Sequence, residues 1–499
     1  MQIISFENTT KSTSKLNNFW NHIHFHPTDA IEDDWGRKIL DSVARDGVAR
    51  TVRMYAMLED IVTEDECGNL KYDFTLNDER MDYLMKKGFN LLVSYNFIPP
   101  CIADNPNLVN NVSKNKTRYK GKMIIASKPN DYGKWEEICR KYTEHIVERY
   151  GIDTVSKWYL QCYNEPDVGA FFMRNLDNSA NSRKERLDEY CKLYRSFARG
   201  VMSVSEKLCI GGPALAQDLE FLGGFLDYVA KMQLPLHFAC VHNYGTTSQG
   251  LKSGSKPFSV DNNIDIQKKC NETIRAHCKN PIKIITDEWG MATQGFCNRD
   301  DCSDFLLRET SAFAAYYGKM IVKMIETNTA PDMMMICLSG QHEMTEEFTG
   351  FRGFFTLNGI PKPIYHAYAL ASHLGDELIS AKTYENGLAV MVTMKNNKPV
   401  ILLSYASEHF TDELPKINVS VNPINFTALK SAKISRIDSH SAAPYEEALR
   451  KEYPRHLNDE EIKYLKVHCS EPSTDVVKVT NEGITLSLEN NTFALVEFE

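Results

Sequence analysis

Short apolar runs alternate with longer amphipathic segments through the first three quarters of the chain, and this alternation constrains the fold more than any other feature. The runs are rich in β-branched and aromatic residues, as buried strands are, and the segments between them have helical period. Eight runs lie near residues 19–25, 48–54, 89–95, 158–164, 208–212, 237–242, 282–288 and 333–338. Because eight β-α units close into a barrel, the sequence predicts an α/β protein with a (β/α)8 TIM barrel over residues 16–375.

The pattern changes after residue 375. Strand-like runs there alternate polar and apolar residues, which is typical of a β-sandwich. We therefore predict an appended β-sandwich over residues 376–499, with a helical insert at 444–453 and 459–465. The segment 1–15 begins with a short β-rich run and is a candidate strand of the same sandwich.

The composition excludes several classes of partner. The chain has 57 Lys and Arg against 66 Asp and Glu, a net charge of −9, and no dense basic run. This balance argues against nucleic acid or an anionic membrane and favours a small neutral substrate. No run approaches the roughly 20 apolar residues of a spanning helix, and no secretion signal is visible. The 13 scattered cysteines are expected to be reduced thiols of a cytoplasmic protein, and we expect no metal and no cofactor.

Two glutamates stand where apolar runs end. Glu165 follows the run Trp158–Asn164 and precedes Pro166, which stops the strand, and Glu288 ends the seventh run. In a (β/α)8 barrel the carboxyl ends of the strands form the active-site face. Glycoside cleavage needs two opposed carboxyl groups, one to protonate the leaving oxygen and one to attack the anomeric carbon or activate water. Alone, each glutamate is also an ordinary strand end, but the pair indicates a glycosidase.

Other strand ends supply candidate substrate contacts. His242 and Tyr244 are two residues apart at the end of the sixth run, so an extended chain points both into one cleft. Arg53 ends the second run, where its guanidinium could hold a carboxylate in its charged form. For these three residues the alternative is a satisfied core or rim position. Trp289 and His26 are further expected sugar contacts, with packing as the alternative for His26.

These motifs resemble glycoside hydrolase family 39, the retaining β-xylosidase and α-L-iduronidase group of the (β/α)8 glycosidases. The resemblance covers most of the chain. It rests on Asn-Glu-Pro at 164–166, Val-His-Asn-Tyr-Gly at 241–245, Thr-Asp-Glu-Trp at 286–289, and the stretches 351–363 and 436–445. It implies that Glu165 is the general acid/base, that Glu288 is the nucleophile, and that Asn164 hydrogen-bonds the sugar 2-hydroxyl.

Several departures from the family pattern bear on the substrate. The family's xylosidases usually carry Trp-Ser-Asp near the end of strand eight, whereas this chain reads Met-Ile-Cys-Leu-Ser-Gly-Gln at 335–341. An aromatic platform for the sugar is therefore missing or supplied elsewhere. Glu346 and Glu347 stand either near the family's sugar-binding acidic pair or in a solvated loop. Tyr55 replaces a family His, and Tyr244 stands where the iduronidase branch has a Lys.

The sequence thus predicts a retaining exo-glycosidase that acts on plant-derived oligosaccharides. β-Xylosidase activity is the first expectation, with α-L-arabinosidase, β-glucosidase and α-L-iduronidase as alternatives. A carbohydrate-binding barrel without chemistry is the alternative from another class. The sugar, the linkage and the oligomeric state stay open, and a homo-oligomer is one alternative for the last.

Overall fold

The structure is a computed structural model that describes residues 2–7, 14–26, 30–110, 124–293, 297–339, 344–410, 412–426 and 428–499. Over these residues the strands are β1 (Gln2–Glu7), β2 (Ser14–Lys15), β3 (His22–Phe25), β4 (Thr51–Tyr55), β5 (Val62–Glu64), β6 (Leu70–Tyr72), β7 (Asn90–Tyr95), β8 (Tyr159–Cys162), β9 (Ile210–Leu215), β10 (Phe238–Thr246), β11 (Lys283–Ala292), β12 (Met333–Leu338), β13 (Glu377–Thr383), β14 (Leu388–Lys395), β15 (Lys398–Tyr405), β16 (Ile417–Ile424), β17 (Ser431–Ile437), β18 (Ser473–Lys478), β19 (Ile484–Leu488) and β20 (Thr492–Phe498).

The helices of the described residues are α1 (Asp34–Arg45), α2 (Leu58–Ile61), α3 (Thr75–Lys86), α4 (Tyr132–Tyr150), α5 (Ile152–Val155), α6 (Ala180–Met202), α7 (Leu219–Met232), α8 (Ser248–Lys252), α9 (Val260–His277), α10 (Ser311–Glu326), α11 (Pro363–Ala371), α12 (Pro444–Arg450) and α13 (Asp459–His468). Two 3-10 helices cover Pro100–Ile102 and Ser303–Glu309. None of the helices in this described part combines the length and the apolar character needed to cross a bilayer.

Eight parallel strands form a closed barrel, and the predicted (β/α)8 fold is confirmed. The order around the barrel is β3, β4, β7, β8, β9, β10, β11 and β12, and every strand falls on one of the eight predicted runs. Buried parallel strands carry apolar side chains on both faces, because one face fills the barrel and the other meets the helices. The continuous apolar runs of the sequence follow from this packing.

The interior of the barrel changes from apolar to polar along its axis. Phe238, Cys240 and His242 alternate on β10 and so share the face that points inward. The first two belong to an apolar cluster with Leu92 of β7. His242 lies one step closer to the carboxyl end, at the level of buried polar residues such as Arg53. An apolar plug therefore supports a polar layer at the active-site face.

The C-terminal region consists of two β-sheets that enclose a second apolar core. The seven-stranded sheet has the order β18-β17-β20-β15-β14-β13-β2, and the three-stranded sheet has the order β1-β16-β19. Buried side chains of both sheets, such as Leu403 and Val419, meet between them. This arrangement is consistent with the appended sandwich. The boundary at residue 375 stays a prediction.

The strands β1 and β13 are characterised by the strands with which they pair. β1 lies parallel to β16, with Gln2 opposite Val419. The pattern of alternating apolar residues did not predict β13. This strand lies near the edge of its sheet, and its partner on one side is the two-residue strand β2. Because several β13 side chains are exposed or half-buried, its sequence lacks a regular apolar pattern.

The helical insert, residues 444–468, packs against the barrel through α12 and α13. Its Tyr445 and Leu465 form a small apolar cluster with Phe348 and Ile360. Both barrel residues belong to the segment that we call the β12 loop, residues 344–362, which lies between β12 and α11. The insert thus supports a loop at the carboxyl end of the barrel.

Candidate active site

Arg53 of β4 is a fully buried hub that connects five polar groups, one of which is His24, whose Nδ1 lies 3.1 Å from Arg53 Nη1. Its Nη1 donates a hydrogen bond to Glu288 Oε1 at 2.7 Å. Its Nη2 donates to Asn164 Oδ1 at 2.7 Å and lies 3.1 Å from Asp287 Oδ2. Its Nε donates to Gln161 Oε1 at 3.0 Å. The fixed planar fork of one guanidinium therefore sets the positions of side chains from β8 and β11.

Glu288 of β11 is held in its ionised form. Besides Arg53, its Oε2 accepts a hydrogen bond from the Tyr244 hydroxyl at 2.7 Å, and Tyr55 approaches Oε1 at 3.4 Å. Burial alone would raise the pKa of this carboxyl, but the charges of His242 and Arg53 outweigh it and hold the pKa well below the ordinary value. Glu288 is therefore a carboxylate at neutral pH.

Glu165 follows β8, and the pKa of its carboxyl group is raised, which favours the protonated form. Burial is the main cause of its raised pKa, and the charge of Glu288 adds to the effect. Its backbone has φ +46°, a left-handed conformation that is strained for a non-glycine residue, and its N–H donates to Ala214 O at 3.0 Å. The Nδ1 of His242 lies 2.8 Å from Glu165 Oε1. The loop is thus anchored on both sides of the carboxyl group.

The two glutamates have the separation and the opposite pKa shifts of an acid and nucleophile pair. Carboxylate oxygens of Glu165 and Glu288, together with a ring nitrogen of His242, lie within 4.8 Å of one another. Retaining glycosidases place their carboxyl groups about 5 to 5.5 Å apart, whereas inverting enzymes need a wider gap for water. One group ready to donate a proton and one ready to attack can perform double displacement.

The same cluster would be a poor metal site. Burial alone would lower the pKa of His242, but the charges of Glu288 and Asp287 raise it to about 10. A metal ligand must be the neutral imidazole. The two carboxylates instead keep the ring protonated, and its proton on Nδ1 is available to Glu165.

A cavity of about 360 Å³ opens above the pair. Its volume lies in the range of small-molecule sites. Five of the residues expected from the sequence line it: Asn164, Glu165, Tyr244, Glu288 and His26. Arg53 and His242 lie below, where they contact the two glutamates. Sequence reasoning gave no role to Phe171 and Arg352, which also line the cavity. Phe171 contributes an aromatic surface to the wall of the cavity. Arg352 belongs to the motif at 351–363, but no role in the site was expected for it.

The position of Trp289 contradicts the expectation that this residue contacts the sugar. Its side chain is fully buried between β11 and the surrounding helices, where it stacks on Tyr317 and donates from Nε1 to the Tyr368 hydroxyl at 2.9 Å. Successive residues of a strand point to opposite faces, so an inward Glu288 places Trp289 outward.

Neither Glu346 nor Glu347 lines the cavity. Both are buried and bound to protein groups, so the alternative of a solvated loop is also wrong. Glu347 Oε1 accepts hydrogen bonds from the backbone and the side chain of Asn358, at 2.8 and 2.7 Å. Of the departing stretch 335–341, residues 340 and 341 lie outside the described residues.

Arg53→Met is expected to destabilise the barrel by about 3 to 5 kcal/mol, because it takes from the buried Asp287 and Glu288 the guanidinium that contacts both of them directly. Urea unfolding followed by tryptophan fluorescence measures the loss. The matched control is Arg140→Met, which breaks a half-exposed pair with Glu144 on α4 and should cost less than about 1 kcal/mol. Equal losses in the two variants would contradict the hub role of Arg53.

Comparison with known proteins agrees with this geometry. The family model described as Glycosyl hydrolases family 39 matches residues 4–485. The chain belongs to this family. As a member of family 39 it is a glycoside hydrolase of a retaining family. A β-xylosidase of Caldicellulosiruptor saccharolyticus is 25% identical over 512 aligned positions, which cover 96% of this chain and 95% of that protein.

Two further relatives of this family 39 chain differ in how much they share with it. An α-L-iduronidase of Canis lupus familiaris is 25% identical over 209 positions, or 40% of this chain and 27% of that protein. The crystal structure of a monomeric β-xylosidase from Caulobacter crescentus CB15 superposes with a TM-score of 0.80 at 19% identity, and covers 100% of this chain and 99% of that one. The superposition on the Caulobacter structure supports a fold in which a barrel is followed by a β-rich C-terminal region.

Proposed function

We propose that this enzyme is an exo-acting, β-xylosidase-like glycosidase in which Glu288 is the nucleophile and Glu165 is the acid/base. The observation that carries the proposal is the pair itself. The carboxyl groups of the partly buried Glu165 and the buried Glu288 have oxygens within 4.8 Å of each other, and their pKa values are displaced in opposite directions. Groups with these properties in one cleft are typical of catalysis rather than of packing.

In the first step Glu288 attacks the anomeric carbon while Glu165 gives its proton to the leaving oxygen. A glycosyl ester forms on Glu288, whose negative charge is thereby lost. Because that charge had helped to raise the pKa of Glu165, the pKa of Glu165 falls. Glu165 then takes a proton from water, and the water releases the sugar with retained configuration.

Asn164 is oriented for the sugar by Arg53. Its Oδ1 accepts the hydrogen bond from Arg53 Nη2, which leaves the amide N–H groups to face the cavity that Asn164 lines. An amide in this position donates to a sugar hydroxyl beside the anomeric carbon, in agreement with the 2-hydroxyl role inferred for Asn164. Such hydrogen bonds strengthen in the transition state.

The choice of a xylose-like glycone follows the relatives that match along nearly their whole length, which are named β-xylosidases. The alternatives are α-L-arabinosidase and β-glucosidase, then α-L-iduronidase. Plant-derived oligosaccharides in the cytoplasm are the proposed substrates. All 13 cysteines are unpaired thiols, which fits a reducing compartment. A binding barrel without chemistry would not need two carboxyl groups with opposed pKa shifts.

A panel of 4-nitrophenyl glycosides tests the proposal: β-D-xyloside, β-D-glucoside, α-L-arabinoside and α-L-iduronide. Release of nitrophenol from the xyloside, with β-xylose as the first product by NMR, is the expected result. Faster cleavage of another glycoside would replace xylose by that sugar. Sugar binding without any cleavage by the folded protein would favour the binding barrel.

A further inference from the structure

Arg352 lines the catalytic cavity beside Tyr244. Its guanidinium carbon lies 4.8 Å from the centre of the Tyr244 ring, and its Nη2 donates to Ser339 Oγ at 3.1 Å. Its Nε and Nη1 are buried and have no hydrogen-bond partner among the described residues. Because these two atoms have almost no accessible surface, a bound sugar would meet the guanidinium at the edge that lines the cavity, next to Tyr244, which is itself a donor to the nucleophile.

An ion pair between Glu346 and Arg455 fastens the β12 loop, which carries Arg352, to the C-terminal region. Glu346 lies six residues before Arg352, and its side chain is only 4% exposed. Arg455, between the helices of the insert, donates from Nε to both oxygens of Glu346 at 2.8 and 2.7 Å. Its Nη2 also donates to Asp300 at 2.8 Å. No other cation among the described residues contacts Glu346 except the exposed His456, 3.5 Å away.

The ion pair is asymmetric, and this makes Arg455 the controlling partner. Arg455 is 43% exposed and can be solvated by water if it is released, whereas Glu346 is nearly fully buried. A buried carboxylate that loses its partner must be hydrated or protonated, and either change displaces the loop around it. The adjacent packing of Phe348 on Tyr445, with ring centres 5.2 Å apart, belongs to the same contact between the β12 loop and the insert.

We propose that Arg455 is a positioning residue for the glycosidase site, because it holds Glu346 and thereby fixes the β12 loop with Arg352 facing the sugar. The inference rests on the proposed function for the identity of the ligand. It assigns to the insert a part in substrate binding, although no insert residue lines the catalytic cavity.

A double-mutant cycle tests the proposal. Arg352→Ala is expected to raise KM for the cleaved aryl glycoside by about tenfold, the effect of losing hydrogen bonds to a charged donor. Arg455→Ala is expected to raise KM by roughly three- to tenfold with a smaller change in kcat. Because both act through the same guanidinium, the double variant should be no worse than Arg352→Ala alone. Arg455→Lys should recover part of the loss, and Glu346→Gln should reproduce it.

The matched control is Arg436→Ala, which breaks the ion pair with Asp475 inside the seven-stranded sheet. It should leave KM unchanged. The positioning role would be overturned if the effects of Arg352→Ala and Arg455→Ala on KM multiplied in the double variant. An unchanged KM in Arg455→Ala would overturn it as well. Calorimetric titration of the same variants with xylobiose gives the cycle in Kd values without turnover. If the protein binds xylobiose with the expected coupling between the two substitutions but cleaves no glycoside, the proposed function is refuted and this inference is supported. If neither the KM cycle nor the Kd cycle shows coupling, the inference is refuted.

Discussion

Glu288→Gly is expected to lower kcat for aryl glycosides by about 10⁴-fold or more, because it removes the group that forms the glycosyl intermediate. The substitution removes a side chain that is 7% exposed, and it leaves the Glu165 side chain in place. Substrate affinity should be kept, since Asn164 and Arg352 still line the cavity. Stopped assays with wild type and variant measure kcat, and titration with xylobiose measures binding.

Azide provides the decisive readout for this variant. A small anion can enter the space vacated by the Glu288 carboxylate and attack the anomeric carbon from the same side. The product from a β-glycoside is then the α-glycosyl azide, of inverted configuration, which NMR identifies. Turnover equal to that of the wild type would remove Glu288 from the nucleophile role, and a β-azide would mean that another group had formed the intermediate.

Glu165→Ala is expected to divide substrates by the quality of their leaving group. Hydrolysis of poorly activated glycosides should fall by about 10² to 10⁴-fold, the usual contribution of a general acid. Formation of the intermediate from nitrophenyl glycosides should be nearly unaffected, because that leaving group departs without a proton. Azide should accelerate breakdown of the intermediate and give the β-azide, the opposite configuration to that expected with Glu288→Gly. Equal losses on all leaving groups would count against the acid role.

The pH dependence of the same variant gives an independent check. Glu165 must be protonated in the free enzyme, and burial raises its pKa, so wild-type kcat/KM should fall as the pH rises through that raised value. Glu288 must be ionised, and its pKa is held low, so the acid limb should appear only well below neutral pH. Glu165→Ala should lose the alkaline limb and keep the acid one.

The residues at the carboxyl ends of strands could be predicted because the fold fixes where they point. Continuous apolar runs mark buried parallel strands, so the sequence alone predicts that Glu165 and Glu288 lie on one face of a barrel. The orientation of Trp289 follows from the same reasoning, because an inward Glu288 turns the next residue of the strand outward. The expectation that Trp289 contacts the sugar ignored this alternation.

Contacts between distant parts of the chain were also beyond the sequence. Nothing in the local pattern relates Arg455 to Glu346, because the two come together through packing of the insert on the β12 loop. Arg352 stood in a motif that carried the family resemblance, yet its exposure to the cavity depends on how that loop is folded. Edge strands such as β13 escape pattern analysis because they have little burial to impose a pattern.

The parallel pairing of β1 with β16 has a consequence for synthesis. Gln2 must wait until Val419 has left the ribosome before the three-stranded sheet can form. At about 5 to 20 residues per second this delay is roughly 20 to 80 s, long enough for the barrel to fold first as a unit. During that interval β1 lacks β16, its pairing partner among the described residues, and its alternating apolar side chains stay exposed. A strand made early is therefore among the last to find its place.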